Sequence, residues 1–275
     1  MEKELLKKFN FSFNKGYGQN FIFDHNLLSA IVADAGIEGK DVLEIGPGAG
    51  GLTYEIAKVA NKVVAYEIDE KLKPILSENL QNFNNVELRF CDVMKQDIKD
   101  IENSFVGSYS LVANLPYYIT TPIIFKFIEN SNKVDKLVIM VQYEVAKRLI
   151  AKPNTADYGA ITVALGVIGD VQITRKVGRH NFVPAPNVDS AIVTIDINRN
   201  KFDIKDTATL SKLIKSAFAM RRKTLANNLK KDFGLNAEQI ADLFAKCDLD
   251  ISIRGEALDF EQFVALANVI FIKFN

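Results

Sequence analysis

From Lys40 onward, short apolar runs alternate with longer amphipathic stretches. The runs 41–45, 63–66, 86–90, 110–113 and 137–141 are rich in Val, Ile and Leu and have the length of buried strands. Between and after them, 52–60, 70–80, 121–129 and 143–150 carry apolar residues at helical spacing. Strand–helix units repeated in this way predict a parallel sheet with helices on both faces, wound by right-handed crossovers. A strand pair at 160–168 and 171–177 and a last strand at 190–197 are expected to complete the sheet. Beyond Arg199 the strand signal stops. Segments 210–218, 222–231, 237–245 and 260–270 read as helices, broken at Gly234 and near Gly255. The expected organisation is an α/β domain over 1–200, opening with a basic, aromatic arm at 1–23, followed by a small all-helical domain over 201–275.

Composition narrows the function classes. With 275 residues, 48% hydrophobic and 25% charged, the chain has the mix of a soluble globular protein. Two cysteines, Cys91 and Cys247, make neither a disulfide framework nor a metal-ligand spacing, and two histidines, His25 and His180, are too few for a His-rich centre. No metal is expected. The opening MEKELLKKFN has no apolar stretch after its charges, so it does not read as a signal peptide. No run approaches the length of a membrane span. A reducing, cytoplasmic setting and a monomer are the expectation.

Net charge is zero, with 34 basic and 34 acidic residues, but the distribution is uneven. Residues 199–231 hold ten Lys or Arg and two acids, whereas 40–102 hold eight basic residues and twelve acids. One end is thereby suited to a polyanion. A solvated helix face explains the same run equally well.

The segment VLEIGPGAGGLT, from Val42 to Thr53, is a strand, a glycine-rich turn and a helix start. Its glycines let the backbone turn sharply and approach a ligand at the strand's C-terminal end and the helix N-terminus. Glu67 closes the next strand 21 residues after Gly46, where a carboxylate can accept both hydroxyls of a ribose. Asp92 closes the third strand and can accept from the amino group of an adenine. These three positions suit a dinucleotide or S-adenosyl-L-methionine, and the turn alone does not choose between them.

The fourth strand leads into Asn114-Leu115-Pro116-Tyr117. An exocyclic adenine amine is a poor nucleophile, because its lone pair is delocalised into the ring. Acceptors aimed at its two N–H groups free that lone pair. The Asn114 side-chain oxygen and the Leu115 carbonyl can supply them, Pro116 stiffens the turn, and Tyr117 can stack on a base that has left its helix. The same tetrapeptide has no evident role in a nicotinamide enzyme.

Taken in order, GQNF at 18–21, EIGPGAGGLT, Glu67, Asp92, NLPYYIT, FVPAPNVDS at 182–190 and MRRKT at 220–224 resemble the ribosomal RNA adenine dimethyltransferases. Among these the chain is most similar to the small-subunit (16S) members. The resemblance covers about 15–229. It implies a Rossmann-like S-adenosyl-L-methionine methyltransferase sheet and N6,N6-dimethylation of two adjacent adenosines near the 3′ end of 16S rRNA, with a part in small-subunit biogenesis. It also implies residue roles. Asn20, Ile22, Gly46, Glu67, Asp92 and Asn114 would hold the cofactor, with Ile22 standing where relatives often have Leu. Asn114, Leu115, Tyr117 and Phe182 would hold and activate the target base. Arg221, Arg222 and Lys223 would contact RNA phosphates, which positions the enzyme without reading sequence. Three rivals stay open. One is a 23S rRNA methylase of the antibiotic-resistance type, which tends to read NIPY and to lack Pro47. Another is a DNA adenine methyltransferase, which usually has a Pro-Pro-Tyr motif. The third is a factor that mainly binds assembling small subunits.

Overall fold

The computed structural model describes residues 2–115 and 119–274. Its strands are β1 (Phe21–Ile22), β2 (Asp41–Ile45), β3 (Lys62–Glu67), β4 (Val86–Phe90), β5 (Tyr109–Asn114), β6 (Val134–Gln142), β7 (Gly169–Val177), β8 (Phe182–Val183) and β9 (Ser190–Ile197). Among the described residues the main sheet runs β4-β3-β2-β5-β6-β9-β7, and β1 pairs with β8 in a separate two-stranded sheet. From β4 to β6 every pairing is parallel, with Leu43 of β2 opposite Val64 of β3 and Leu111 of β5. β9 returns antiparallel beside β6, placing Ile139 opposite Val193. Order reverses beside β2, which puts the loops after β2 and β5 next to each other. In an open sheet of this kind that crevice is where ligands bind.

The helices are α1 (Glu2–Lys8), α2 (His25–Ala35), α3 (Gly51–Ala57), α4 (Lys73–Asn79), α5 (Ile98–Glu102), α6 (Thr120–Asn130), α7 (Tyr143–Leu149), α8 (Ala160–Gly166), α9 (Thr207–Ala219), α10 (Leu225–Phe233), α11 (Ala237–Lys246) and α12 (Phe260–Phe274). Local chemistry sets their ends. Asp24 caps α2 by accepting from the Asn26 and Leu27 N–H groups, and Gly36 ends it in the left-handed region. The Asn236 and Gln239 side chains cap α11 reciprocally.

Contacts divide the chain into two compact units, one formed by Met1–Ala146 and Gln172–Ile197, the other by Lys147–Val171 and Asn198–Asn275. The first buries Val42, Val63, Val112 and Val138 of the sheet with Leu28, Ile31 and Ile56 of α2 and α3. The second has its own core, built around Tyr158, Leu213, Leu229, Phe244 and Phe263. The helical unit thus takes in 147–171, which a boundary near residue 200 leaves in the first domain. Within it, 160–168 is not a strand. AITVALG forms α8, opened by a hydrogen bond from the Gly159 N–H to Thr162 Oγ1, while that hydroxyl donates to the Arg148 carbonyl. Val163, Leu165 and Val167 are buried and Ala160, Ile161, Ala164 and Ile168 partly buried, so the run has no polar face by which a helix could be told from a strand.

The first 23 residues are not a loose basic arm. Leu5 and Leu6 of α1 pack with Leu72, Ile75 and Leu76 of the α4 region. Lys8 pairs with Glu78 at 2.6 Å. Among the described residues, no helix is long and apolar enough to cross a membrane.

Candidate active site

A cleft opens at the C-terminal ends of β2, β3 and β5, enclosing about 830 Å³ with its open mouth included. The glycine turn forms one side. Gly48 sits at φ +59°, and a Cβ there would lie 2.8 Å from Cε1 of Phe21, so this backbone is fitted to an aromatic ring of the N-terminal segment. Gly50 precedes α3 at φ +85°, a conformation that L side chains rarely adopt. Gly46 lines the cleft, its N–H donating to the Tyr66 carbonyl at 2.9 Å.

Glu67 ends β3 with 5% of its surface exposed. Its Oε2 accepts from the Gly48 N–H at 3.0 Å and its Oε1 from the Asp69 N–H at 2.9 Å. Burial pushes its carboxyl above the usual range, against the pull of those backbone donors. The carboxylate is therefore tied to the glycine turn and fixed in orientation before any ligand arrives.

Asn114 ends β5. Its Nδ2 donates to the Asn20 carbonyl at 3.3 Å, which leaves Oδ1 as the atom able to accept from a substrate N–H. Leu115 is buried beside it. Phe182 begins β8 and is paired in register with Ile22 of β1. The two-stranded sheet thus carries the FVPAP segment to the cleft together with the GQNF segment. Phe182 is only 3% exposed and also belongs to the apolar cluster beneath, with Ile22 and Leu28.

Asn20, Ile22, Gly46, Glu67, Asn114, Leu115 and Phe182, separated by up to 162 residues in the chain, line this one cleft. Asp92 does not line it. Its Oδ1 accepts from the Met94 N–H at 2.9 Å and caps the short turn after β4. Tyr117, with Pro116 and Tyr118, lies outside the described residues. Arg221, Arg222 and Lys223 belong to the other unit, in the exposed turn between α9 and α10. There the Arg221 guanidinium pairs with Glu256 at 3.0 Å and donates to the Ala156 carbonyl. All three cations of the motif are exposed.

Two features were not anticipated from the sequence. Gln19 reaches Asp69, its Nε2 donating to Oδ2 at 2.8 Å, so the N-terminal segment is joined to the loop after β3. Glu44, one residue from the end of β2, is 1% exposed, and its Oε2 has no hydrogen-bond partner among the described residues. Burial pushes its carboxyl up to about 8; Thr53 offsets part of this, and the nearby Glu67 adds to it. Glu44 is therefore protonated at neutral pH. A carboxylate within an apolar strand was the available signal for it.

The residues fit an adenosyl ligand that carries a sulfonium. A glycine backbone without side chains gives close approach, a fixed carboxylate offers two oxygens to a diol, and the Asn114 backbone carbonyl lies beside Gly46 of the turn. Comparison with known proteins agrees. A family model described as ribosomal RNA adenine dimethylase matches residues 10–270. A Clostridioides difficile (strain 630) protein named ribosomal RNA small subunit methyltransferase A is 42% identical over 275 residues, covering 98% of this chain and 95% of its own. A protein of the same name from Enterococcus faecalis is 42% identical over 276 residues, covering 98% and 94%. Among solved structures, a dimethyladenosine transferase from Plasmodium falciparum is similar with a TM-score of 0.79 at 25% identity, covering 92% of this chain and 98% of its own. The 23S rRNA methyltransferase ErmE shares the fold, with a TM-score of 0.68 at 24% identity over 90% of this chain and 98% of its own.

Proposed function

Because the chain belongs to the ribosomal RNA adenine dimethylase family, an S-adenosyl-L-methionine-dependent Rossmann-like class, we propose that it dimethylates the N6 amines of two adjacent adenosines near the 3′ end of 16S rRNA. The substrate on this reading is the small ribosomal subunit or its precursor, met in the cytoplasm. Relatives that are 42% identical over nearly the full length carry the small-subunit name, whereas the likeness to the 23S enzyme is one of fold. The small-subunit reading is therefore favoured over the 23S one.

The observation that carries the proposal is the convergence of Asn114, Leu115 and the Gly46–Glu67 corner in one cleft. S-adenosyl-L-methionine, when bound, supplies an electrophilic methyl on sulfonium. Gly46 gives its methionine portion room and Glu67 accepts from the ribose hydroxyls. Asn20 and Ile22 cover it from the N-terminal segment. Asp92 is assigned to the adenine ring from the edge of the site. The target base is extruded from its stack. Asn114 Oδ1 and the Leu115 carbonyl accept from its amine, localising the nitrogen lone pair, while Tyr117 and Phe182 hold the ring from apolar faces. The alkylated amine is a strong acid and loses its proton without a dedicated base. Rate comes mainly from positioning. Arg221, Arg222 and Lys223 meet RNA phosphates, Arg221 being also tied to Glu256.

Substitution of Asn114 tests the chemistry. Asn114→Ala is expected to bind small subunits yet, at saturating S-adenosyl-L-methionine, transfer methyl at no more than a hundredth of the normal rate. Normal dimethylation by that variant would withdraw the acceptor role and the central step of the proposal. Phe182→Ala is expected to lose roughly one to two powers of ten in turnover efficiency, since stacking on a base is worth about 1–3 kcal/mol.

A further inference from the structure

We propose that Gln19 is a positioning residue whose carboxamide clasps the N-terminal segment to the ribose corner through Asp69, and so sets the affinity for S-adenosyl-L-methionine. This rests on the assignment of Glu67 and the glycine turn to that ligand.

The geometry is a short polar chain. Gln19 Oε1 accepts from the Asn14 N–H at 2.8 Å, and its Nε2 donates to Asp69 Oδ2 at 2.8 Å. The other Asp69 oxygen accepts from the Lys71 N–H, and the Asp69 N–H donates to Glu67 Oε1. The next residue, Asn20, accepts from Asn114 Nδ2 through its carbonyl. Residues 19 and 20 thus fasten the segment to the ends of two strands, β3 and β5, on the two sides of the cleft. Asp69 is 5% exposed, so its bond to Gln19 is largely shielded and a mismatch there has little water to relieve it. Every atom of the Gln19–Asp69 pair is used with one polarity. Oε1 must accept and Nε2 must donate, and Asp69 must accept at both oxygens. Loss of the clasp loosens the segment just ahead of Asn20 at the ribose corner, while the bond from Asn114 to the Asn20 carbonyl and the pairing of Ile22 with Phe182 remain and Leu115 stays in place for the base.

That polarity provides a swap test. In Gln19→Glu a carboxylate faces the Asp69 carboxylate. In Asp69→Asn one amide oxygen cannot serve both Lys71 and Gln19. In the double variant, the amide introduced at position 69 keeps its oxygen for Lys71 and donates its N–H to the carboxylate introduced at position 19. The second oxygen of that carboxylate still accepts from Asn14. Calorimetric titration of the full-length protein with S-adenosyl-L-methionine at pH 8 is expected to show at least tenfold weaker binding for Gln19→Glu, several-fold weaker for Asp69→Asn, and recovery to within about threefold in the double variant. At saturating cofactor, kcat for Gln19→Glu is expected within twofold of the parent. Its affinity is expected to recover as pH falls and the introduced carboxylate takes a proton. Parental affinity in Gln19→Glu, or equal loss in the double variant, overturns the clasp. Glu67→Ala is titrated alongside. If it weakens binding and Gln19→Glu does not, the clasp alone fails; if it binds normally, the site assignment fails and the clasp with it.

Discussion

Glu44→Gln is expected to stabilise the protein at alkaline pH while changing little in mild acid. Glu44 sits on β2 two residues before Gly46, buried, with one oxygen unpaired among the described residues. Its carboxyl is raised from 4.5 to about 8 by burial, with Glu67 adding to the effect. An acid whose folded pKa lies above its unfolded value holds its proton longer in the folded state. The unfolded chain releases that proton near pH 4.5, so between there and pH 8 folding requires an uptake that becomes steadily harder. Stability from this group is thus fully present below about 4.5 and is lost as pH rises to about 8. Each pH unit is worth about 1.4 kcal/mol, so the whole window amounts to at most about 5 kcal/mol. Relaxation and water entry reduce it, and about 2–4 kcal/mol is the expected gain in Glu44→Gln at pH 8.5. Glutamine copies the shape of the neutral acid, and the Thr53 hydroxyl can accept from its amide. Urea unfolding at pH 5 and pH 8.5, followed by circular dichroism, measures the difference directly. Parallel pH profiles for parent and variant would refute the buried, protonated state of Glu44.

His25 gives a second titration. Burial works to lower its pKa, but Nδ1 meets Glu55 at 2.7 Å and Nε2 meets Glu2 at 3.0 Å, and the two carboxylates raise it overall. Its contribution is present below about pH 6.5 and lost as pH rises through the raised value, so exchange protection of α1 amides, taken relative to the intrinsic base-catalysed rate, should fall as pH rises above 6.5, and His25→Gln should abolish that fall. Gly48→Ala combines a positive φ, costing about 1–2 kcal/mol, with displacement of the Phe21 ring; cofactor affinity should fall at least tenfold by calorimetry, and unchanged affinity would separate the turn from the ligand. Charge reversal at Arg222 and Lys223 should weaken rRNA binding and reduce the slope of log affinity against log salt by roughly 0.7–0.9 per lost contact, with cofactor binding unaltered; an unchanged slope would make the run a solvated face.

β2 was legible because a buried parallel strand prints an apolar run, and 41–45 matches it at both ends; 86–90 and 190–197 likewise match the half-buried edge strand β4 and the antiparallel β9. Segment 160–168 failed because a short run of apolar residues looks alike in a strand and in a helix, and α8 is capped by a glycine that the pattern treats as a turn. The glycine turn, Glu67 and Asn114 were legible because each needs a particular residue type at a strand end. The pairing of β1 with β8, which brings Phe182 to Ile22, was not legible as a contact, since two-residue strands leave no periodicity. Nor was the anchoring of Arg221, because the Glu256 carboxylate and the Ala156 carbonyl that hold it are far away in the chain. The N-terminal segment read as a cationic arm from composition, yet its lysines and apolar residues are in part consumed by α4, as Lys8 with Glu78 shows.

The central claim is methyl transfer to adjacent small-subunit adenosines, and one measurement tests it most directly. Small subunits from cells lacking the modification are incubated with the purified protein and S-adenosyl-L-methionine labelled in its methyl group, and the labelled nucleotides are mapped in the RNA. The expected result is two neighbouring N6,N6-dimethyladenosines near the 3′ end of 16S rRNA, absent with Asn114→Ala. Label confined to 23S rRNA, or no label on subunits that the protein binds, would contradict the account.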